Sequence, residues 1–127
     1  MTAIIAGGAG FIGINLAKKL ISEGSDVIII DNFSNSKKRF IPANLDNLTI
    51  IENDLSSIKE TKQAINKSCE LAKTTPEVWH MAANSDIPSG LKDSNIDLKD
   101  TFMTTFNLLE ACKCSNILSF YFASSSA

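Results

Sequence analysis

Ala6-Gly7-Gly8-Ala9-Gly10-Phe11-Ile12-Gly13 follows a short apolar run, Ala3 to Ala6, and opens a stretch with Ile12, Leu16 and Leu20 at helical spacing. The run reads as Gly-x-Gly-x-x-Gly from Gly8 and as Gly-x-x-Gly-x-x-Gly from Gly7. Between a strand and a helix each glycine has a physical task. One makes the tight turn, the next leaves bare backbone for a pyrophosphate, and Gly13 lets the helix pack closely. The free amides of the helix start, at Phe11 and Ile12, and the positive end of the helix dipole then face phosphate oxygens. Asp31 follows at the end of the next apolar run, Val27 to Ile30. Its carboxylate can accept from two ribose hydroxyls and would repel a 2′-phosphate, which favours NAD over NADP. A cap or turn role is the alternative reading of Asp31.

Outward from this stretch, strand and helix signals alternate. The pattern predicts strands at Ala3–Ala6, Val27–Ile30, Leu48–Ile51, Val78–Ala82 and Ile117–Ala123. It predicts helices from about Phe11 to Glu23, from Ser56 or Ser57 to about Lys73, and from about Asn95 to Cys114. The second carries Ile58, Ile65, Cys69 and Ala72 on one side, and the third carries Leu98, Phe102, Phe106 and Leu109 at helical spacing. Polar loops are expected at Asp31–Asn47 and around Pro88 and Gly90. Such alternation predicts an α/β fold: a doubly wound parallel sheet of about five strands, Rossmann-type, with right-handed crossovers. The glycine turn belongs where strand order reverses, between the first and fourth strands.

The 127 residues have room for one domain, expected over 1–127. Such sheets usually continue past a fifth strand, so the sheet is expected to be incomplete at its C-terminal end. A net charge of −2 gives no electrostatic case for nucleic acid or an anionic membrane, and the apolar runs are too short to span one. Lys37-Lys38-Arg39 reads as a solvated loop more readily than as a phosphate contact. No signal peptide is expected. Cys69, Cys112 and Cys114 form neither a disulfide framework nor a metal set, which points to reduced thiols and the cytoplasm.

Other residues lie where such a sheet binds ligands. Asp54-Leu55 follows the third strand, where a carboxylate can accept from the adenine amine and Leu55 can offer a backbone contact; a helix-capping role is the alternative. Ala82-Ala83, at the end of the fourth strand, leaves room opposite the glycine turn. His80, in an apolar strand, reads as a structural hydrogen-bonding group rather than a base. Ser124, Ser125 and Ser126 end the fifth strand, where a hydroxyl could serve a substrate, though no base lies near in sequence.

These pieces resemble the extended short-chain dehydrogenases/reductases, and within them the UDP-glucose (UDP-galactose) 4-epimerases. The resemblance runs through Gly7–Gly13, Asp31-Asn32-Phe33-Ser34-Asn35-Ser36, Asp54-Leu55, His80-Met81-Ala82-Ala83-Asn84, Asn107–Cys112 and Phe122–Ser126. It implies NAD as cofactor, with Asn32, Asn35 and Ser36 joining Asp31 at the adenosine ribose. It implies a UDP-sugar substrate oxidised at C4, turned over, and reduced from the other face, with a tyrosine as base and a lysine four residues on. The assisting hydroxyl matches Ser125, or Ser126 with a one-residue slip.

Two positions depart from the family. Thr101 stands where an asparagine is usual. No Tyr-x-x-x-Lys pair is present, since the only tyrosine, Tyr121, has Ser125 four residues later. The tyrosine, the lysine and the nucleotide-sugar domain would lie beyond Ala127, leaving an N-terminal, NAD-binding part that is inactive alone. An uncovered fifth strand would be an apolar edge open to another chain, so an oligomer is expected, a homodimer by resemblance. A nucleotide-sugar 4,6-dehydratase or decarboxylase, and a non-catalytic NAD-binding module, are the alternatives.

Overall fold

The computed structural model describes residues 1–43 and 45–124. Five strands form one parallel sheet: β1 (Thr2–Ala6), β2 (Asp26–Asp31), β3 (Leu48–Glu52), β4 (Glu77–His80) and β5 (Ser119–Phe122). Their order is β3-β2-β1-β4-β5, so the direction of winding reverses beside β1. β1 is buried along its whole length and reads without alternation, as a strand covered on both faces must. Helix α1 (Phe11–Ser22) packs on one face, over Ala3, Ile5, Val27 and Ile29. Helices α2 (Ile58–Leu71) and α5 (Thr104–Lys113) pack on the other, over Ile4, Ala6, Ile28, Ile30 and Val78. This is the expected doubly wound, Rossmann-type arrangement.

The helices correct three sequence expectations. The segment around Pro88 and Gly90 is a short helix, α3 (Ile87–Lys92), capped by the Asp86 carboxylate, which accepts from the Ser89 N–H at 3.3 Å. Pro88 suits the first turn, where its missing N–H costs nothing. The third predicted helix is not uniform: α4 (Ser94–Asp97) leads into a π-wound segment, Leu98–Met103, before α5. Hydroxyls bridge the widened turn, Thr104 to the Asp100 and Thr101 carbonyls at 2.9 and 3.0 Å and Thr105 to Thr101 at 2.8 Å.

The third correction concerns the stripe of the third predicted helix; in the first two, Leu20 and Ile65 are buried on the sides read from the sequence. Leu98, Phe102, Phe106 and Leu109 face outward, Phe102 at 61% and Phe106 at 49% exposed. The buried positions of α5 are Thr104, Asn107, Leu108 and Ala111. In α2 they are Thr61, Ala64, Ile65 and Ser68, with Ile58 exposed and Cys69 at the margin. In α1 they are Gly13, Ile14, Ala17 and Leu20, with Ile12 exposed. Gly13, Ala17, Ala64, Ser68 and Ala111 let the helices approach the sheet, and Ile14, Leu20, Ile65 and Leu108 fill the contact.

His80 is 2% exposed, and its Nε2 lies 2.7 Å from Thr105 Oγ1. The Thr105 hydroxyl donates to the Thr101 carbonyl, so the ring nitrogen is the donor in this bond. Burial pushes the imidazole down to about 4, while an unfolded histidine titrates near 6.5. The unfolded chain therefore takes up the proton first. His80's contribution to stability is complete above about pH 6.5, falls through the window down to about 4, and is flat below it. Urea unfolding should show a loss of about 2 kcal/mol between pH 7.5 and pH 5. His80→Phe should abolish that difference; a variant that keeps it would place the titrating group elsewhere.

Candidate functional site

The C-terminal ends of β1, β2, β3 and β4 open on one cleft of about 490 Å³. Its floor is the glycine turn. Gly7 has φ +74°, a left-handed conformation that only glycine adopts cheaply. A Cβ there would stand 2.6 Å from the Cα and N of Ala82, so the turn and the chain after β4 touch backbone to backbone. A Cβ at Gly13 would stand 2.6 Å from the Gly7 carbonyl oxygen, so Gly13 seats α1 on the turn itself. Gly10 differs: its nearest neighbour would be the Gly7 oxygen at 3.5 Å, and its open side faces the cleft.

The first N–H of α1 with a helical acceptor is that of Ile14, bonded to the Gly10 carbonyl at 2.9 Å. The amides of Phe11, Ile12 and Gly13 thus lack intrahelical partners, and all three residues line the cleft. No side chain caps this end and no acidic residue occupies its first turn. Phe11 is 86% exposed and Ile12 is exposed. Bare amides and the positive dipole end make a seat for an anion.

Asp31 holds a turn and also borders the cleft. Its Oδ2 accepts from the Ala9 N–H at 3.0 Å, inside the glycine turn. Its Oδ1 accepts from the Phe33 N–H at 2.8 Å and the Ser36 hydroxyl at 3.2 Å. The carboxylate therefore ties the turn after β1 to the loop after β2 while lining the cleft. Phe33 stands at φ +57°, and the Lys38 ammonium lies 4.9 Å from its ring centre while pairing with Glu52. That tight turn brings Asn32, Ser34, Asn35 and Ser36 to the cleft wall. Lys37, Lys38 and Arg39 are exposed and do not line it.

Beyond β3, Asp54 Oδ1 accepts from the Ser56 N–H at 2.9 Å and the Ser56 hydroxyl at 2.7 Å. Its Oδ2 and the Leu55 N–H have no protein partner among the described residues, and both residues line the cleft, as do Ala82 and Ala83. Every cofactor residue named from the sequence borders this one space. Ser34, Asn53, Met81, Ser85, Asp100 and Thr104 border it too and had been given no role. The first three adjoin named residues. Asp100 and Thr104 lie four apart on the polar side of the apolar stripe, a spacing legible in the chain. Ser125 and Ser126 lie outside the described residues.

The sequence pattern of the NAD dependent epimerase/dehydratase family matches residues 3–127. A UDP-glucose 4-epimerase of Corynebacterium glutamicum is 29% identical over 127 residues, all of this chain and 36% of its own length. A UDP-N-acetyl-alpha-D-glucosaminuronate decarboxylase of Bacillus cytotoxicus is 32% identical over 108 residues, 85% of this chain and 32% of its own. The crystal structure of a Thermus thermophilus UDP-glucose 4-epimerase complex with NAD superposes with a TM-score of 0.85 at 27% identity, covering 98% of this chain and 38% of that one. The chain thus spans about a third of the length of the curated relatives it matches.

Proposed function

The chain belongs to the NAD dependent epimerase/dehydratase family, whose cofactor is NAD, and from that membership we propose that it is the NAD-binding portion of a nucleotide-sugar 4-epimerase. One observation carries the reading: the bare amides of α1, the Asp31 carboxylate and the Asp54-Leu55 pair border a single cleft. Its volume lies in the usual range for small-molecule sites. The amides of Phe11, Ile12 and Gly13 hold the diphosphate, with Gly10 giving close approach. Asp31, with Asn32, Asn35 and Ser36, holds the adenosine ribose. Asp54 Oδ2 accepts from the adenine amine and the Leu55 N–H donates to the neighbouring ring nitrogen. Ala82 and Ala83 leave the far end open toward the nicotinamide. Bound NAD supplies a hydride acceptor and donor for C4 of a UDP-sugar. Ser125, or Ser126, hydrogen-bonds the reacting hydroxyl.

The decarboxylase relative supports a second reading within the family. A ketone at C4 also labilises a neighbouring carboxylate, so the same oxidation could open decarboxylation, or loss of water in a dehydratase. The free thiols of Cys69, Cys112 and Cys114 support a cytoplasmic setting.

Calorimetric titration of the 127-residue chain with NAD tests the cofactor assignment, with backbone amide shifts expected at Phe11, Asp31 and Leu55. The same sample is expected to give no UDP-galactose turnover. Without a Tyr-x-x-x-Lys, Ser125 has no base to exchange a proton with, and that transfer alone is worth about 10²–10⁴ in rate. Turnover by a verified 127-residue monomer would show the catalytic assignment to be wrong.

We further read the outward stripe of Leu98, Phe102, Phe106 and Leu109 as a homodimer contact, since contiguous exposed apolar surface is costly to leave in water. Phe106→Ser with Leu109→Ser should shift sedimentation toward monomer. A wild-type chain that sediments as monomer at all concentrations sinks this assignment.

A further inference from the structure

We propose that Asn107, on α5, is a positioning residue that sets the geometry of the adenine end of the cleft by holding the Leu55 carbonyl. The inference rests on the dinucleotide reading of the cleft and adds a residue that does not line it. Asn107 is 1% exposed, and its Nδ2 donates to the Leu55 carbonyl oxygen at 3.0 Å. Only the NH₂ end can face a carbonyl, so this orientation of the amide follows from chemistry. One turn earlier on the same helix, Thr104 lines the cleft. Asn107 therefore ties the α5 wall to the Asp54-Leu55 wall from behind.

Among the described residues, the one other donor near that oxygen is weakly committed to it. Thr61 Oγ1 lies 3.1 Å from the Leu55 carbonyl but 2.7 Å from the Ser57 carbonyl. A hydroxyl has one hydrogen, and the shorter contact takes the larger share of it. Asn107 is thus the dedicated donor. Its own Oδ1 is buried with no partner among the described residues. A leucine of similar size would remove that unmet oxygen but strip the Leu55 carbonyl of its dedicated donor, so the amide's own unmet oxygen offsets part of what its hydrogen bond contributes to stability. What it supplies is direction. With the Leu55 carbonyl fixed, the adjoining Leu55 N–H and Asp54 Oδ2 present a donor beside an acceptor, the complement of adenine's amine edge.

The test compares ADP with IDP, in which an oxygen replaces that amine and the neighbouring ring nitrogen carries a hydrogen, so that both contacts are reversed. Wild-type chain should bind ADP about a hundredfold more tightly than IDP in calorimetry, the size expected for two hydrogen bonds lost together. Asn107→Leu should bring the ratio to within about tenfold, chiefly by weakening ADP. Thr61→Val should leave the ratio unchanged. Asn107→Ser is the second variant should leucine fail to fold, with the same loss of discrimination expected. A purely structural role would lower the unfolding midpoint and leave the ADP/IDP ratio of the folded protein intact; that result in both Asn107 variants overturns the inference. Wild-type chain that binds ADP and IDP equally, or neither, instead overturns the adenine reading, and is seen before any variant is made.

Discussion

Replacing Gly7 by alanine is expected to lower the unfolding midpoint by about 10 °C, before any ligand is considered. Two effects add. The backbone stands at φ +74°, where a Cβ costs about 1–2 kcal/mol. The same Cβ would also press on the Ala82 Cα and N at 2.6 Å and the Met81 carbonyl carbon at 2.9 Å. That backbone cannot step aside, because the Met81 N–H is bonded to the Ala6 carbonyl at 2.8 Å. Overpacking against a fixed wall costs a further 1–3 kcal/mol or so. Gly10→Ala makes the contrast. Its Cβ meets nothing nearer than 3.5 Å, so the midpoint should hold within about 2 °C. Its methyl would instead project into the space where a diphosphate approaches the Phe11 and Ile12 amides, and NAD affinity should fall by about a hundredfold. Equal destabilisation by both variants would mean that the roles given to the two glycines are wrong.

Asp31→Ala should weaken NAD by about a hundredfold and also cost about 1–2 kcal/mol of stability. A residue serving the ribose alone would affect binding only. Here the carboxylate also accepts from the Ala9 and Phe33 amides, so its removal slackens the glycine turn and frees the loop that carries Asn32, Asn35 and Ser36. NADP should lose less than NAD, because the repulsion of a 2′-phosphate disappears with the ribose bonds. Asp31→Asn keeps the shape but must turn an NH₂ toward one of two N–H donors, and should behave nearly as badly. An unfolding midpoint unchanged in both variants, with affinity lost, would reduce Asp31 to a ligand contact.

The cleft was more legible in the chain than the helices that frame it. Gly7, Asp31 and Asp54 could be read because backbone turns at strand ends demand particular residues at short range. Phe102 and Phe106 misled because periodicity reports that a helix has an apolar side, not which way that side faces. Ile65 and Leu108 meet the sheet among Ala64, Ser68, Asn107 and Ala111, whose small or polar side chains carry little hydrophobic signal. The π-wound turn at Leu98–Met103 depends on hydroxyls of Thr104 and Thr105 reaching back to carbonyls, a choice the residues permit but do not announce. Asn107 was visible only as part of a motif, because its partner, Leu55, is distant in sequence and adjacent only in the fold.

The strand order also dictates a sequence of events during synthesis. β1 pairs with β2 on one side, Ala3 opposite Val27, and with β4 on the other, Ala3 opposite Glu77. The β1–α1–β2 unit can therefore close soon after it leaves the ribosome, but the second edge of β1 stays bare until β4 emerges. At roughly 5–20 residues per second, that wait lasts on the order of several seconds. Throughout it, the most apolar strand of the protein offers a row of unpaired N–H and C=O groups to any passing chain. The nascent polypeptide is most vulnerable in that interval, and a chaperone that recognises extended apolar segments has its natural target at Thr2–Ala6.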